Sequence, residues 1–270
     1  MFLTELERFI EEDIGYNDIS CSIIPDRIVG ARVISKEDGI VSGLSEATQV
    51  FDYFDVFAAT DFEEGSALKK NDVIFILEGG ARSILRAERL SLNFLGRMSG
   101  IATLTRKFVD KAKGLRVACT RKTTPGFRKF EKKAVIAGGG DPHRFNLSDA
   151  VMIKNNHIAA LGLEKAITAA KRAASFTRKI EVEVRDIDSA IYAAGNGADI
   201  VMFDNMTPEK IIECIGVLSE KGIRENVILE ASGNISLENA NEYARTGVDV
   251  ISAGALIHSS RWLDISLRIE

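Results

Sequence analysis

Four short β-prone runs dominate the second half of this chain. They are KIEVEV (179–184), ADIVMFDN (198–205), NVILEAS (226–232) and VDVISAGAL (248–256). Between them stand DIDSAIYAAGNG, TPEKIIECIGVLSEKG and SLENANEYARTG, all helix-like, with Gly195, Gly222 and Gly247 where helices should stop. Strands alternating with helices imply crossover connections and a parallel sheet. Four units in succession predict a barrel or part of one, with a doubly wound sheet as the alternative.

In barrels the chemistry gathers at the carboxyl ends of strands. Each run here finishes in polar residues: Glu183, Asp204, Glu230 with Ser232, and Ser252 before Gly254. Strict alternation in KIEVEV puts Glu181 and Glu183 on one face and Ile180, Val182 and Val184 on the other. An apolar face that packs on outer helices would turn both glutamates into the barrel mouth. The plainer reading is a half-exposed edge strand.

The first ~100 residues mix β-like runs, ARVISKEDGIVSG and NDVIFILEGGARSIL, with glycine-rich turns, the pattern of a smaller α+β domain. RSILRAERLSLNFLGRM (82–98) reads as a helix with Arg86, Arg89, Asn93 and Arg97 on one stripe. Ile84, Leu92, Leu95 and Met98 lie opposite. A solvated stripe is the plain expectation; a stripe serving an anion in a neighbouring subunit is the sharper one.

The chain carries a net charge of −4, yet residues 119–145, CTRKTTPGFRKFEKKAVIAGGGDPHRF, hold seven Arg or Lys against two acidic residues. Lys129, Lys132 and Lys133 fit the solvated face of a helix. Arg121, Lys122, His143, Arg144 and Lys154 sit beside turns and apolar strand-like segments. Arginine grips carboxylate or phosphate as a planar fork and lysine as a point charge. Gly138-Gly139-Gly140 would let backbone N–H groups approach a ligand. Together these describe a pocket for a small polyanion. The carboxylates Glu183 and Asp204 suit Mg²⁺, and the loops Ser232-Gly233-Asn234 and Ser252-Ala253-Gly254 stand where barrels bind phosphate.

Mild acidity argues against nucleic-acid or membrane binding. Cys21, Cys119 and Cys214 form no CxxC pair and no zinc spacing, so reduced thiols in the cytoplasm are expected. Glu5 and Glu7 follow Met1 closely, and neither a signal peptide nor a membrane span is expected.

The segments EEDIGYNDIS, AERLSLNFLGRMSGIATLTRKFVD, TRKTTPGFRKFEKKAVIAGGGDPHRFNLSDAVMIKNNHI, IEVEV, FDN, EASGNI and GVDVISAGALIHS run in order from residue 11 to 259. Jointly they resemble the quinolinate phosphoribosyltransferase family of type II phosphoribosyltransferases. The resemblance implies a small N-terminal α/β sandwich domain (1–103) and a C-terminal incomplete α/β, TIM-like barrel (104–270). Segment 258–270 is a candidate to pack back on the first domain.

It also implies transfer of phosphoribose from phosphoribosyl pyrophosphate (PRPP) to quinolinate, with Mg²⁺ and without an organic cofactor, giving nicotinate mononucleotide, pyrophosphate and CO₂. Arg121, His143, Arg144 and Lys154 would hold quinolinate, with Arg89 reaching into the partner's site in a homodimer or higher oligomer. Lys122 and Lys154, with Glu183 and Asp204, would carry the catalysis. Glu183 and Asp204 would face the ribose and the metal. Thr120, Lys122, Ser232, Gly233, Asn234, Ser252, Ala253 and Gly254 would take PRPP and its phosphates.

Three positions depart from the family pattern: Cys119 and Asn155 stand where an aspartate is common, and SGN replaces SGG. Rival readings are a sister phosphoribosyltransferase (nicotinate-specific or molybdenum-transport-associated), an aldolase-like barrel with Lys154 as Schiff base, and an anion-binding protein without catalysis.

Overall fold

A computed structural model describes all 270 residues. The chain forms two compact units. The first comprises Met1–Arg106, Phe130–Gly139 and Ser260–Glu270; the second comprises Lys107–Lys129 and Gly140–Ser259. Its elements open with α1 (Leu3–Ile14), β1 (Ile28–Ser35), β2 (Gly39–Ile40), α2 (Leu44–Tyr53), β3 (Phe57–Ala59), β4 (Ala67–Leu68), β5 (Val73–Gly80) and α3 (Ala81–Lys111). They continue with β6 (Arg116–Ala118), α4 (Arg128–Ala137), β7 (Val151–Ile153), α5 (Asn155–Leu161), α6 (Leu163–Ala173) and β8 (Ile180–Val184). Last come α7 (Ile187–Gly195), β9 (Ile200–Asp204), α8 (Pro208–Glu220), β10 (Ile228–Ser232), α9 (Ala240–Ala244), β11 (Val250–Ser252), α10 (Ala255–His258) and β12 (Ile265–Ile269).

The first unit is built on an antiparallel sheet in the order β12-β1-β5-β3. Alternation in IVGARVIS buries Val29, Ala31 and Val33 and exposes Ile28 and Arg32. Phe9, Phe94 and Phe130 meet edge-on at centroid distances of 5.1 to 5.8 Å. The helix expected over 82–98 runs instead for 31 residues. Its basic stripe is only partly solvated. Arg86 and Arg89 are exposed, but Arg97 donates to the buried Glu131 (2.6 Å) and to Ser260 Oγ (2.8 Å).

Two expectations for the cationic stretch are corrected here. Lys132 is fully buried and so is no part of a solvated face, whereas Lys133 stays exposed and pairs with the buried Glu46 at 2.5 Å. The period of KFEKKAV conceals this, because α4 buries Phe130, Glu131, Lys132, Ala134 and Val135 together. In the triple glycine, Gly138 packs against a helix. Gly138 N–H caps α4 at Ala134 O (3.0 Å), and Gly139 takes φ +89°. A Cβ at Gly138 would meet the Ala102 carbonyl oxygen at 2.5 Å and Thr105 Cβ at 2.6 Å. Gly138 is there for close helix packing.

The second unit holds a six-stranded parallel sheet in the order β6-β11-β10-β9-β8-β7. Sequential strands are neighbours, and the first lies beside the last. That is the topology of a curling barrel, whereas a doubly wound sheet reverses strand order at a switch point. β6 and β7 are not paired, so the barrel is incomplete. Strand β8 lies between β7 and β9, which rules out the edge-strand reading of the glutamates. Outward residues Val182, Phe203, Leu229 and Ile251 are fully buried. Among the helix ends, Gly222 and Gly247 take positive φ as expected, but Gly197 rather than Gly195 does so after α7. No helix is long and apolar enough to cross a membrane.

Replacing Gly138 by Ala is expected to destabilise the protein by roughly 1–3 kcal/mol through overpacking. Chemical denaturation checks this, and an unchanged midpoint would refute the packing role.

Candidate active site

The carboxyl ends of the barrel strands form rows. Ala118, Ser252, Ser232 and Asp204 are register partners on β6, β11, β10 and β9. One pleat below, Val250, Glu230, Met202 and Glu183 form the next inward row. Below Met202 and Glu183, Ile200 pairs with Glu181. Parallel register therefore stacks the polar strand-end residues into the mouth of the barrel.

A cavity of about 520 Å³ opens there. It is lined by Thr120, Arg121, Lys122, His143, Arg144 and Lys154 on one side and by Glu183, Asp204, Ser232, Gly233, Asn234, Ser252, Ala253 and Gly254 on the other. Arg89 lies exposed on α3 of the first unit and is not among these residues. Met152, Met202, Asn205, Glu230, Ile235 and His258 line the cavity without having been assigned roles from sequence. Of these, Glu230 carried a signal, its place at a strand end. His258 comes from the turn of α10 beside the last strand, where spacing says nothing of direction.

Several side chains are held by specific partners. Lys154 Nζ pairs with Glu183 Oε1, and its N–H donates to His157 Nδ1 (2.9 Å). Arg185, not singled out from sequence, donates to Asp204 through Nη2 (2.8 Å) and Nε (3.1 Å). Asn155 Nδ2 donates to the same oxygen at 3.3 Å, so an amide here avoids a like charge beside Asp204. Asn234 donates to Asn205 Oδ1 (2.9 Å), and Asn205 donates to Asp204 Oδ1 (2.9 Å). Ser252 Oγ donates to Ser232 Oγ at 2.9 Å. A Cβ on Gly254 would stand 3.0 Å from both Lys122 Cδ and His258 Nε2, so only glycine lets them approach this closely.

Cys119 gains a structural account. It is fully buried, its N–H donates to Asp141 O (3.0 Å), and its thiol reaches Pro142 O (3.2 Å). It thereby ties down the loop that delivers His143 and Arg144. Arg121 Nε is buried without a hydrogen-bond partner, an orphan donor within a site that suits an anion. Burial, then the neighbouring Arg121, pulls the Arg144 pKa below its ordinary value.

At the cavity floor, the His143 ring lines the cavity and also meets buried carboxylates. Its Nδ1 accepts the Arg144 backbone N–H at 2.7 Å. The ring proton therefore sits on Nε2, which lies 3.3 Å from Glu230 Oε2 and 3.7 Å from Glu181 Oε2. These three groups lie within 4.8 Å of one another, a spacing open to a metal ion. Glu183 and Asp204, which also line the cavity, are hard oxygen donors that suit Mg²⁺.

Glu181 is fully buried, and neither of its oxygens accepts a hydrogen bond. Burial first, and Glu230 second, push its pKa up to about 8 from an ordinary 4.5. The folded protein then keeps a proton that the unfolded chain has released. The contribution of this group to stability is largest at low pH and is lost as pH rises from 4.5 to about 8. Glu181→Gln is expected to flatten that part of the stability profile. Melting temperatures across the window check it, and an unaltered slope contradicts the assignment.

Comparison with known proteins converges on one family. Residues 15–99 match the family model "Quinolinate phosphoribosyl transferase, N-terminal domain", and residues 101–268 match the corresponding C-terminal domain. The chain is 47% identical over 259 residues to a probable nicotinate-nucleotide pyrophosphorylase [carboxylating] of Archaeoglobus fulgidus, covering 94% of this chain and 98% of that one. It is 39% identical to the nicotinate-nucleotide pyrophosphorylase [carboxylating] of Homo sapiens, covering 88% and 82%. The crystal structure of NadC from Streptococcus pyogenes superposes with a TM-score of 0.93 at 38% identity, over 99% of this chain and 95% of that one. The chain is thus an enzyme of the quinolinate phosphoribosyl transferase family.

Proposed function

We propose that the protein transfers phosphoribose from PRPP to quinolinate with loss of CO₂, forming nicotinate mononucleotide and pyrophosphate in NAD biosynthesis. The observation that carries this is one cavity in which Arg121, Lys122, Arg144 and Lys154 oppose Glu183, Asp204 and the Ser232–Ser252 hydroxyl pair. Cations on one wall fit a dicarboxylate, and carboxylates with a phosphate cradle on the other fit a phosphorylated sugar.

The chemistry follows from that division. Arg121, Arg144 and Lys154 neutralise the two carboxylates and aim the ring nitrogen at C1 of the ribose. The nitrogen–C1 bond forms as the C1–O bond to pyrophosphate breaks, and oxocarbenium character grows on the ribose. Glu183 stabilises that positive charge, as carboxylates do in glycoside hydrolysis. Lys122 offsets negative charge growing on the leaving pyrophosphate. Mg²⁺, held by Glu183 and Asp204, would supply further neutralisation of the leaving group. The bonds of Lys154 to Glu183 and of Arg185 to Asp204 would then give way. The ribosylated ring nitrogen is cationic and accepts the electron pair of the C2–carboxylate bond as CO₂ departs, and C2 takes up a proton. No organic cofactor enters.

Lys154 Nζ is engaged by Glu183 rather than set in an apolar pocket, against its use as a Schiff-base nucleophile. The exposed Arg89 fits a homodimer, or a higher oligomer, in which it reaches the partner's site. The three free cysteines fit a cytoplasmic enzyme.

The purified protein is expected to consume PRPP with quinolinate and Mg²⁺, releasing CO₂, and to be far slower with nicotinate. Equal or faster turnover of nicotinate overturns the substrate reading. Arg144→Ala is expected to weaken quinolinate binding by about tenfold or more, the loss of a charged hydrogen-bond partner. PRPP binding should change far less, and parallel loss of both affinities would contradict the role of Arg144.

A further inference from the structure

Four N–H donors converge on Asp204. Arg185 donates twice to Oδ2, through Nη2 (2.8 Å) and Nε (3.1 Å), and Asn155 Nδ2 reaches the same oxygen at 3.3 Å. Asn205 Nδ2 donates to Oδ1 at 2.9 Å, and its own Oδ1 accepts from Asn234 Nδ2 at 2.9 Å. This amide chain is built into the loops. Asn205 and Asn234 both take left-handed backbone, at φ +55° and +51°, which asparagine tolerates. A Cβ on Gly233 would stand 2.3 Å from Asn205 Oδ1, so that glycine leaves room for the amide. Asn155 and Asn234 are two of the three positions at which the chain departs from the family pattern.

The guanidinium is well placed to leave. Only 17% of the Asp204 side chain is exposed, against 60% of Arg185. Asp204 lines the main cavity and Arg185 does not; Arg185 lines a side cavity of about 380 Å³ with Asp204, Asn205 and Lys210. Part-exposed ion pairs separate at small cost. Yet while this pair is closed, Asp204 carries a compensating positive charge and both of its oxygens accept hydrogen bonds. Mg²⁺ gives up its water reluctantly and is usually bound by one or two carboxylates together with substrate phosphates. A carboxylate already compensated in this way is a poor ligand for the ion alone.

We propose that Arg185 is a tethered counter-cation that masks Asp204 from free Mg²⁺, so that the metal is taken up together with the phosphorylated sugar, whose own oxygens complete its coordination. Asn155 and Asn205 assist by donating to the same carboxylate without adding charge. Arg185 is thus a positioning residue that acts through Asp204 and stays outside the substrate cavity. The proposal rests on the reading of Asp204 as a metal ligand given above.

The test titrates Mg²⁺ alone into the protein by calorimetry, without PRPP or quinolinate. Arg185→Gln should tighten Mg²⁺ binding by about three- to fivefold, the scale of a part-exposed ion pair. Arg185→Lys keeps the charge and should stay within about twofold of the wild type. Adding Asp204→Asn to Arg185→Gln should abolish the gain, because no carboxylate is left to unmask. KM for quinolinate should not move in the Arg185 variants. Unchanged or weaker Mg²⁺ binding by Arg185→Gln overturns the proposal, as does a change in quinolinate KM as large as the change in Mg²⁺ affinity. A gain that persists in the double variant places the metal elsewhere and overturns the proposal together with the role of Asp204. Failure of the metal reading as a whole shows separately, as wild-type turnover that needs no Mg²⁺.

Discussion

Parallel pairing of β6 with β11 brings the first strand of the second unit beside its last. Sequential strands fill the arc between them, so their carboxyl ends face one mouth. Once that curl exists, side-chain alternation alone decides what enters the interior. Val182, Phe203, Leu229 and Ile251 go outward and are fully buried. Glu181, Glu183, Asp204, Glu230, Ser232 and Ser252 go inward. Without the curl the same residues would be scattered along a flat sheet, and the opposing cations would have nothing to face.

The polar interior is costly, and the protein meets that cost by pairing. Lys154 meets Glu183, Arg185 meets Asp204, and His143 meets Glu230. Glu181 accepts no hydrogen bond, and burial first and the neighbouring Glu230 second raise its pKa. The two pairs at the mouth are only partly buried, whereas the His143 contact lies at the floor. Exposed pairs exchange partners at small cost and buried ones do not. The mouth is therefore suited to accept charged substrates, and the floor to hold its shape while they bind.

Much of this was legible in the sequence because it rests on local period. Strand-helix rhythm predicted the barrel, and alternation in KIEVEV predicted which glutamates turn inward. Of the site residues named from motif order, all but Arg89 line the cavity. What could not be read depends on contacts between distant segments. The fully buried Lys132 and the bond of Arg97 to Glu131 need α4 to pack within the first unit, which helical spacing does not reveal. The triple glycine looked like a ligand loop because composition cannot distinguish approach to a ligand from approach to a helix. Arg185 and Cys119 stand out only when their partners, Asp204 and the Asp141–Pro142 turn, are known.

The central claim is that one cavity joins glycosidic bond formation to loss of the carboxylate adjacent to the ring nitrogen. Quinolinate labelled with ¹³C in its C2 carboxylate tests this directly. The account predicts that all of the label leaves as CO₂, one for each pyrophosphate released, and that none remains in the nucleotide. Label retained in the product, or pyrophosphate released without labelled CO₂, would contradict it.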